Sequence, residues 1–269
     1  MDQTAHHLRA QREKLDPISD ARRERIPQQG RVLEILERLR TLLFDRSPDD
    51  QLESELEVIH GLLAAVAGDK ARHVIDRLPE MRHCVAMDVE ASLHGDPAAK
   101  TYGEIIAAYP STLAVSTHRI AHALYVLGEP VLARIMAEDA HSRTGIDIHP
   151  GAEIGCHFFI DHGTGVVIGE TTEIGNRVKL YHGVTLGAFS TRKGQALAGV
   201  KRHPTLGDDV TIYPNATILG GETSIGRGSV IGANVWLARS VPPFTKVMIE
   251  PPELQIIQES DRTGAHDWS

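Results

Sequence analysis

The stretch that decides the fold is residues 147–187, which read DIHPGAEIGCHFFIDHGTGVVIGETTEIGNRVKLYHGVTLG. Aliphatic residues recur here every six positions, and glycine follows several of them. A period of six fits neither an α-helix nor the two-residue alternation of an ordinary strand. It is typical of a parallel β-helix, in which each hexapeptide supplies one short strand and one tight turn.

The same period continues to residue 237, with slips of one or two residues and one long interruption. An ordinary sandwich of short strands is the alternative, but it does not require a sustained period of six. Fourteen aliphatic side chains follow the period in four registers: Ile148, Ile154 and Ile160; Ile168, Ile174, Leu180 and Leu186; Leu206, Ile212 and Ile218; Leu219, Ile225, Ile231 and Leu237.

The chain divides at residue 146. Residues 1–146 are predicted to form a helical domain, because apolar side chains recur there at three- and four-residue spacing. Residues 147–245 are predicted to form the β-helix, with a loop at 188–203 where the polar run STRKGQ breaks the repeat. Residues 246–269 are predicted to be a partly ordered tail, since proline at 242 and 243 ends the strand ladder. The predicted helices span residues 31–44, 51–67, 79–93, 112–127 and 130–140.

Composition narrows the class of protein. The chain has 269 residues, with 28 lysines and arginines against 36 acidic residues and a formal charge of −8, which argues against a general nucleic-acid binder. The segment MDQTAHHLRAQREKLD lacks the apolar core of a signal peptide, and no apolar run is long enough for a transmembrane helix. Two cysteines are too few for a disulfide framework. We therefore expect a cytoplasmic protein.

An acid and a histidine recur near one place in the repeat. Asp147 lies 14 to 15 residues before Asp161 and His162, which puts them on successive coils about 5 Å apart along the axis. A carboxylate beside a histidine can hold its Nδ1–H and leave Nε2 free as a general base. Solvated corner residues are the alternative interpretation.

Four segments in this order resemble the serine O-acetyltransferases: DIHPGAEIG, DHGTGVVIGE, HGVTLG and RHPTLGD. The resemblance covers about residues 80–245 and includes HGDPA at 94–98 in the helical half. It implies a helical N-terminal domain, a left-handed parallel β-helix, and either a homotrimer or a hexamer formed by two trimers. It also implies acetyl-CoA as co-substrate, with no permanently bound cofactor and no metal, and transfer of its acetyl group to the L-serine hydroxyl.

The resemblance also implies roles for single residues. His162 corresponds to the general base and Asp147 to its orienting carboxylate. Direct transfer is expected, because neither cysteine lies in a motif typical of an activated nucleophile. Free serine is a zwitterion, so its site needs acids at one end and a cation at the other. Asp96 and Asp161 correspond to the acids that hold the ammonium group. The carboxylate site corresponds to Arg202 and His203.

The coenzyme site is implied on the same basis. Gly187 and Ala188 correspond to the backbone that lines the pantetheine groove between neighbouring β-helices. Three nearby cations, Arg192, Lys193 and Lys201, either bind the phosphates of the coenzyme or are simply solvated.

The sequence departs from the family in three places. The loop before Arg202 is longer by about half a dozen residues, which raises the question of whether the acceptor differs. FTKVMIEPPEL replaces the usual segment with a Gly-x-Pro-Ala-Arg motif. Ser269 stands where many members end in isoleucine, so we do not expect the complex with cysteine synthase to form by the usual route.

The sequence leaves three other functions open. A zinc enzyme similar to the γ-class carbonic anhydrases needs three convergent histidines, for which His157, His162 and His182 are the candidates. A second alternative keeps acyl transfer but uses a sugar or another hydroxyl or amine acceptor. A non-enzymatic scaffold is the third, although it does not require an acid–histidine pair.

Overall fold

The computed structural model describes Gln3, residues 26–44 and residues 49–250. Apart from Gln3, the residues of MDQTAHHLRAQREKLD fall outside this part of the chain, as do residues 251–268 of the tail and Ser269, so the predictions made for them are not addressed by it. None of the helices in the described ranges is both long enough and apolar enough to cross a membrane.

Helices fill the first half, as predicted, and the five predicted helices are present with ends shifted by a few residues. Two short helices, Lys70–Asp76 and Tyr102–Ala108, were not predicted. The described residues contain seven α-helices: α1 (Gln29–Phe44), α2 (Asp49–Ala67), α3 (Lys70–Asp76), α4 (Leu78–Gly95), α5 (Tyr102–Ala108), α6 (Pro110–Val126) and α7 (Pro130–Thr144).

The ends of these helices follow from local chemistry. The side chain of Thr101 accepts a hydrogen bond from the Glu104 backbone N–H at 3.1 Å and so begins α5. Pro110 and Pro130 occupy first-turn positions, where a missing N–H costs nothing. Gly145 ends α7 with φ of 70°, a left-handed conformation that glycine adopts without strain.

The helical domain has its own core. The predicted apolar stripe of α1 is buried, from Val32 at one end to Leu43 at the other. It packs with buried residues of α2, α4, α6 and α7 in one continuous cluster. This packing fixes where α4 and α6 lie, and both helices carry residues to the site described below.

The second half is a three-sided β-helix of short parallel strands, as predicted, with about five coils. The strands are β1 (Asp147–Ile148), β2 (Glu153–Ile154), β3 (Phe159–Asp161), β4 (Val167–Ile168), β5 (Glu173–Ile174), β6 (Lys179–Tyr181), β7 (Thr185–Gly187), β8 (Thr205–Leu206), β9 (Thr211–Ile212), β10 (Thr217–Leu219), β11 (Ser224–Ile225), β12 (Val230–Ile231), β13 (Trp236–Leu237) and β14 (Lys246–Val247).

Three sheets form the sides. Sheet 1 has the order β1-β4-β7-β10-β13, sheet 2 has β11-β8-β5-β2, and sheet 3 has β14-β12-β9-β6-β3. The predicted aliphatics stack in columns inside: Ile148 lies opposite Ile168, for example, and Ile168 opposite Leu186. Leu219 is the exception, because Ile218 takes the inward position of β10 and Leu219 is only half-buried. The core of this half is thus made of stacked aliphatic side chains, which accounts for an aromatic content of only 4% in the whole chain.

The predicted loop leaves the β-helix between β7 and β8. It contains a short 3₁₀ helix, Gly194–Leu197, with no buried residue. At its base, the Gly220 N–H donates to the Gly187 carbonyl at 3.0 Å, so the ladder continues beneath the loop. At the far end, β14 pairs with β12 one residue beyond the predicted end of the β-helix at 245. The domain boundaries themselves stay predictions.

Helical side chains bond to the open side of the first coil. Arg119 of α6 donates to the carbonyls of Ile154 at 3.2 Å and Gly155 at 2.9 Å. Asp88 of α4 accepts a hydrogen bond from the Phe158 N–H at 2.8 Å and forms a bidentate ion pair with Arg119. His122 Nδ1 lies 2.9 Å from the Pro150 carbonyl, which can only accept, so the imidazole donates.

A disulfide joins the two halves beside this network. Cys84 of α4 is bonded to Cys156 at the corner between β2 and β3, with the two Cα atoms 4.9 Å apart. Two cysteines are too few for a disulfide framework, and this single bond was not predicted from the sequence.

Candidate active site

Two groups of functional side chains lie at two different corners of the β-helix. We call the corner between sheets 3 and 1, with Asp161, His162 and His182, the base corner. We call the corner between sheets 1 and 2, with His149, Glu170, Arg202 and His203, the arginine corner.

At the base corner, His162 follows β3 and adopts a left-handed backbone with φ of 58°. Its side chain is 75% exposed, and Nε2 lies 3.8 Å from Asp161 Oδ1. The ring meets that of His182, one coil further on, edge-on at 5.9 Å. His162 is therefore an accessible imidazole beside a carboxylate, which is what a general base requires.

Asp96 directly follows α4 and lies at the same corner. Asp96 Oδ2 accepts a hydrogen bond from the Tyr109 hydroxyl at 2.6 Å, and Oδ1 accepts from the Ala98 N–H at 2.8 Å. The pKa of Asp96 is lowered, first by the Tyr109 bond, then by the Ala98 bond, and further by the charges of His162 and Lys179. The carboxylate is thus held in its ionised form.

Lys179 contacts Asp161 and the residue before Asp96, and its place in the site was not predicted from the sequence. Its Nζ donates to the Gly95 carbonyl at 2.5 Å and lies 3.9 Å from Asp161 Oδ2. It also lies over the rings of Phe159 and Tyr181. Lys179 is the first residue of β6, and an outward-facing lysine on a hexapeptide strand gives no signal of such a role.

Asp147 lies on β1, and its Cα is opposite Val167, which is five residues after His162. In residues 26–44 and 49–250, no hydrogen bond or ion pair joins Asp147 to His162. Its predicted role as the orienting carboxylate of the histidine stays a prediction, as do the other roles assigned from the resemblance.

The arginine corner is built around a chain of polar contacts. The Tyr125 hydroxyl of α6 donates to Glu170 Oε1 at 2.7 Å, and Glu170 Oε2 forms a short ion pair with the Arg202 guanidinium. Arg202 also donates to the Leu197 carbonyl of the loop at 3.2 Å. Tyr125 and Glu170 were not predicted as site residues. A tyrosine within an amphipathic helix has no distinguishing pattern, and the contact of Glu170 with Arg202 joins residues far apart in sequence.

His203 is held in one tautomer. The Thr171 backbone N–H, which can only donate, lies 3.1 Å from His203 Nδ1, so Nδ1 accepts and the proton of the neutral ring sits on Nε2. Burial, followed by the charge of Arg202, lowers the pKa of His203 to about 4. Gly169 leaves room for this ring, since a Cβ there would overlap it. At neutral pH His203 therefore offers an Nε2–H donor.

The structure brings Asp96, Asp161 and His162 together, and it brings Arg202 and His203 together. The two groups lie at different corners of the same three-sided β-helix, so one chain does not unite them.

Gly187 ends β7 and Ala188 begins the loop beside the exposed rings of Phe189 and Trp236, whose centroids are 6.4 Å apart. Lys201 is engaged by the β-helix, because its Nζ donates to the Thr171 carbonyl at 2.6 Å and to Glu173 at 2.9 Å.

The candidate zinc ligands do not share a corner. His157 lies between sheets 2 and 3, whereas His162 and His182 lie at the base corner. Across the described ranges of this chain, no group of three or more histidine, cysteine or acidic side chains is arranged to hold a metal ion.

Known proteins resemble this chain in sequence. It is 53% identical over 189 residues to a plasmid-encoded serine acetyltransferase of Synechococcus elongatus, an alignment that covers 69% of this chain and 59% of that relative. It is 47% identical over 181 residues to the serine acetyltransferase of Mycobacterium tuberculosis, covering 67% of this chain and 76% of the relative. A search of family models found no match.

Solved structures also resemble this chain. Serine acetyltransferase isoform 3 of Entamoeba histolytica in complex with cysteine matches with a TM-score of 0.74 at 37% identity, over 84% of each chain. The serine acetyltransferase of Neisseria gonorrhoeae in complex with serine matches with a TM-score of 0.63 at 31% identity, over 85% of this chain and 84% of that one. Together with the fold and the two groups of polar residues, these similarities show that the chain belongs to the serine acetyltransferase family.

Proposed function

We propose that this enzyme transfers the acetyl group of acetyl-CoA to the hydroxyl of L-serine, giving O-acetyl-L-serine and CoA, as a step of cysteine biosynthesis. The observation that carries the proposal is the convergence of an exposed imidazole, His162, with two carboxylates, Asp96 and Asp161. A hydroxyl needs a base to become a nucleophile, and an amino-acid acceptor needs anions to hold its ammonium group.

In this mechanism His162 Nε2 removes the proton of the serine hydroxyl as the oxygen attacks the thioester carbonyl. The new C–O bond forms, the C–S bond breaks, and the imidazolium returns its proton to the departing thiolate. Asp147, on the strand beside this corner, orients the exposed ring once substrate is bound. General base catalysis of this kind contributes about 10²–10⁴-fold in rate.

The two ends of serine are held by opposite charges. Asp96 and Asp161 receive the ammonium group, and Arg202 receives the carboxylate, for which a guanidinium offers a matching fork of donors. The Nε2–H of His203 donates to the same carboxylate. Because His203 is neutral at pH 7, it adds a hydrogen bond without a second charge.

The site is completed between subunits of a homotrimer. A single β-helix carries the base corner and the arginine corner on different edges, so the base corner of one chain must meet the arginine corner of a neighbour. Cyclic symmetry repeats the same contact at every interface and produces one complete site per interface. Trimers pair through their helical domains into a hexamer.

Acetyl-CoA lies along the groove between neighbouring β-helices. Gly187 and Ala188 line the pantetheine chain with backbone, since small side chains leave the groove open. Arg192 and Lys193 on the loop face solvent and supply charge for the coenzyme phosphates, whereas Lys201 is already engaged. No permanent cofactor takes part, and we place the enzyme in the cytoplasm, where acetyl-CoA is available.

The test is CoA release from acetyl-CoA by the purified protein, measured with L-serine, L-homoserine and a galactoside as separate acceptors. We expect rapid thiol release with L-serine and a loss of about 10²–10⁴-fold in kcat for His162→Ala. His157→Ala is the matched control, because that histidine lies at another corner. Release only with a different acceptor contradicts the substrate, and full activity of His162→Ala contradicts the base.

A further inference from the structure

We propose that Tyr125 is a positioning residue that holds Arg202, through Glu170, in the orientation that binds the serine carboxylate. The inference rests on the proposed function and extends it to a residue of the helical domain.

The first contact joins the two domains. Tyr125 lies in the last turn of α6, and its hydroxyl donates to Glu170 Oε1 at 2.7 Å across the domain boundary. Glu170 follows β4 in the β-helix. The ring of Tyr125 packs edge-on against His149 at a centroid distance of 5.6 Å.

The second contact holds the guanidinium group of Arg202. Glu170 Oε2 pairs with Arg202, and the two side chains are only 26% and 22% exposed. The loop holds the same guanidinium from another direction through the Leu197 carbonyl. Arg202 is therefore held between the Glu170 carboxylate of the β-helix and the backbone of the loop.

The surrounding packing leaves Tyr125 and Glu170 little freedom. A Cβ added to Gly151 would lie 3.0 Å from a ring carbon of Tyr125 and 3.0 Å from Glu170 Cγ, so glycine is what lets both side chains approach the backbone there. A side chain at this position would require Tyr125 and Glu170 to shift by a few tenths of an ångström. The close approach of Tyr125 and Glu170 to the backbone therefore depends on the lack of a side chain at Gly151.

The pKa values of Glu170 and Tyr125 are both shifted by their hydrogen bond. The Tyr125 bond, followed by the Arg202 contacts, lowers the pKa of Glu170. The same bond raises the pKa of Tyr125 to about 12, so the phenol stays a donor across the working pH range. At neutral pH Tyr125 is therefore the donor of this contact and Glu170 its ionised acceptor.

The test uses steady-state kinetics of Tyr125→Phe, which removes one oxygen atom and retains the ring. We expect KM for L-serine to rise about tenfold, which corresponds to about 1.4 kcal/mol. We expect kcat and KM for acetyl-CoA to stay within twofold. The inhibition constant of 2-aminoethanol, which has the hydroxyl and ammonium of serine but no carboxylate, should also stay within twofold.

Two further variants make the result specific. Tyr102→Phe is the matched control, because in the described part of the chain the Tyr102 hydroxyl makes no hydrogen bond and the ring is 46% exposed. Glu170→Gln should raise KM for L-serine in the same direction. The double variant with Tyr125→Phe should be clearly less than additive, since both changes act through one chain of contacts.

The outcomes separate this inference from the proposed function. If the unmodified enzyme releases no CoA with L-serine, the proposed function fails, and this inference fails with it. If the unmodified enzyme is active and KM for L-serine stays within twofold in both Tyr125→Phe and Glu170→Gln, only the inference is overturned. Equal losses toward L-serine, acetyl-CoA and 2-aminoethanol also overturn it, because they indicate general damage.

Discussion

The hydroxyl of Tyr109 donates to Asp96 Oδ2 at 2.6 Å, and this one bond shifts the pKa of both partners. It lowers the pKa of the Asp96 carboxyl and raises the pKa of the phenol to about 12. Tyr109 is the residue just before α6, so the start of that helix fixes the acid that follows α4. The helical domain thus places an acid at the base corner, as it places a tyrosine at the arginine corner.

Tyr109→Phe should weaken serine binding. Asp96 stays ionised at pH 7 but loses the bond that orients it, and a hydrogen bond to a charged group contributes about 1.5–3 kcal/mol. We expect KM for L-serine to rise roughly tenfold or more, with KM for acetyl-CoA unchanged. Steady-state kinetics beside Tyr102→Phe would check this, and equal KM values for L-serine in the two variants would contradict it.

Asp88→Ala should destabilise the contact between the domains. The Asp88–Arg119 pair is buried, with bonds of 2.7 and 2.9 Å, and removing the acid leaves an uncompensated guanidinium. Removal of one partner from a buried pair costs about 3–5 kcal/mol. Asp76→Ala breaks an exposed pair with Arg72 and should cost no more than about 1 kcal/mol. Urea unfolding measures both, and equal losses in the two variants would disprove the expectation.

Reduction of the Cys84–Cys156 bond should also lower stability. The bond closes a sequence separation of 72 residues, for which the chain-entropy model gives about 4 kcal/mol. Denaturant unfolding with and without a dithiol reductant measures this difference. Cys84→Ser should match the reduced protein and show no response to the reductant. A wild-type midpoint unaffected by complete reduction would argue against a stabilising bond.

Acidification should destabilise the protein through His118. Burial, followed by the charges of His122, Arg119 and His149, holds its pKa well below 6.5. The unfolded chain therefore takes up a proton near pH 6.5 that the folded chain refuses, so this stability is present above that pH and declines as the pH falls.

The slope from one such group is about 1.4 kcal/mol per pH unit. His118→Gln should reduce, but not abolish, the loss between pH 7 and pH 5, because His203 titrates with the same sign. Urea unfolding at several pH values provides the measurement, and an unchanged slope in His118→Gln would exclude this role.

Much of the fold could be predicted from the sequence because the inward aliphatics obey a strict period. The one misplaced core position, Leu219, sits at a slip where two adjacent aliphatics compete for one inward place, and only the pairing of Ile218 with Leu186 decides between them. The short helices α3 and α5 escaped prediction because seven residues give too few turns for an apolar stripe.

The residues of the candidate site could be predicted only where they lie in distinctive sequence motifs. The segments around Asp161 and Arg202 are distinctive, whereas Tyr109, Tyr125 and Lys179 act through contacts between residues far apart in sequence. The same reason explains Cys84 and Cys156: spacing says nothing about proximity when one partner lies on a helix and the other at a β-helix corner.

The bonds from Arg119, Asp88 and His122 to the first coil have a consequence for solubility. A stack of parallel coils has no intrinsic end, and an uncovered terminal coil is a template on which another chain can pair. By occupying those backbone groups with side chains, the helical domain acts as a cap that stops end-to-end growth. A β-helix freed of its helices would face its neighbours with an open ladder, and polymerisation into fibres would compete with folding.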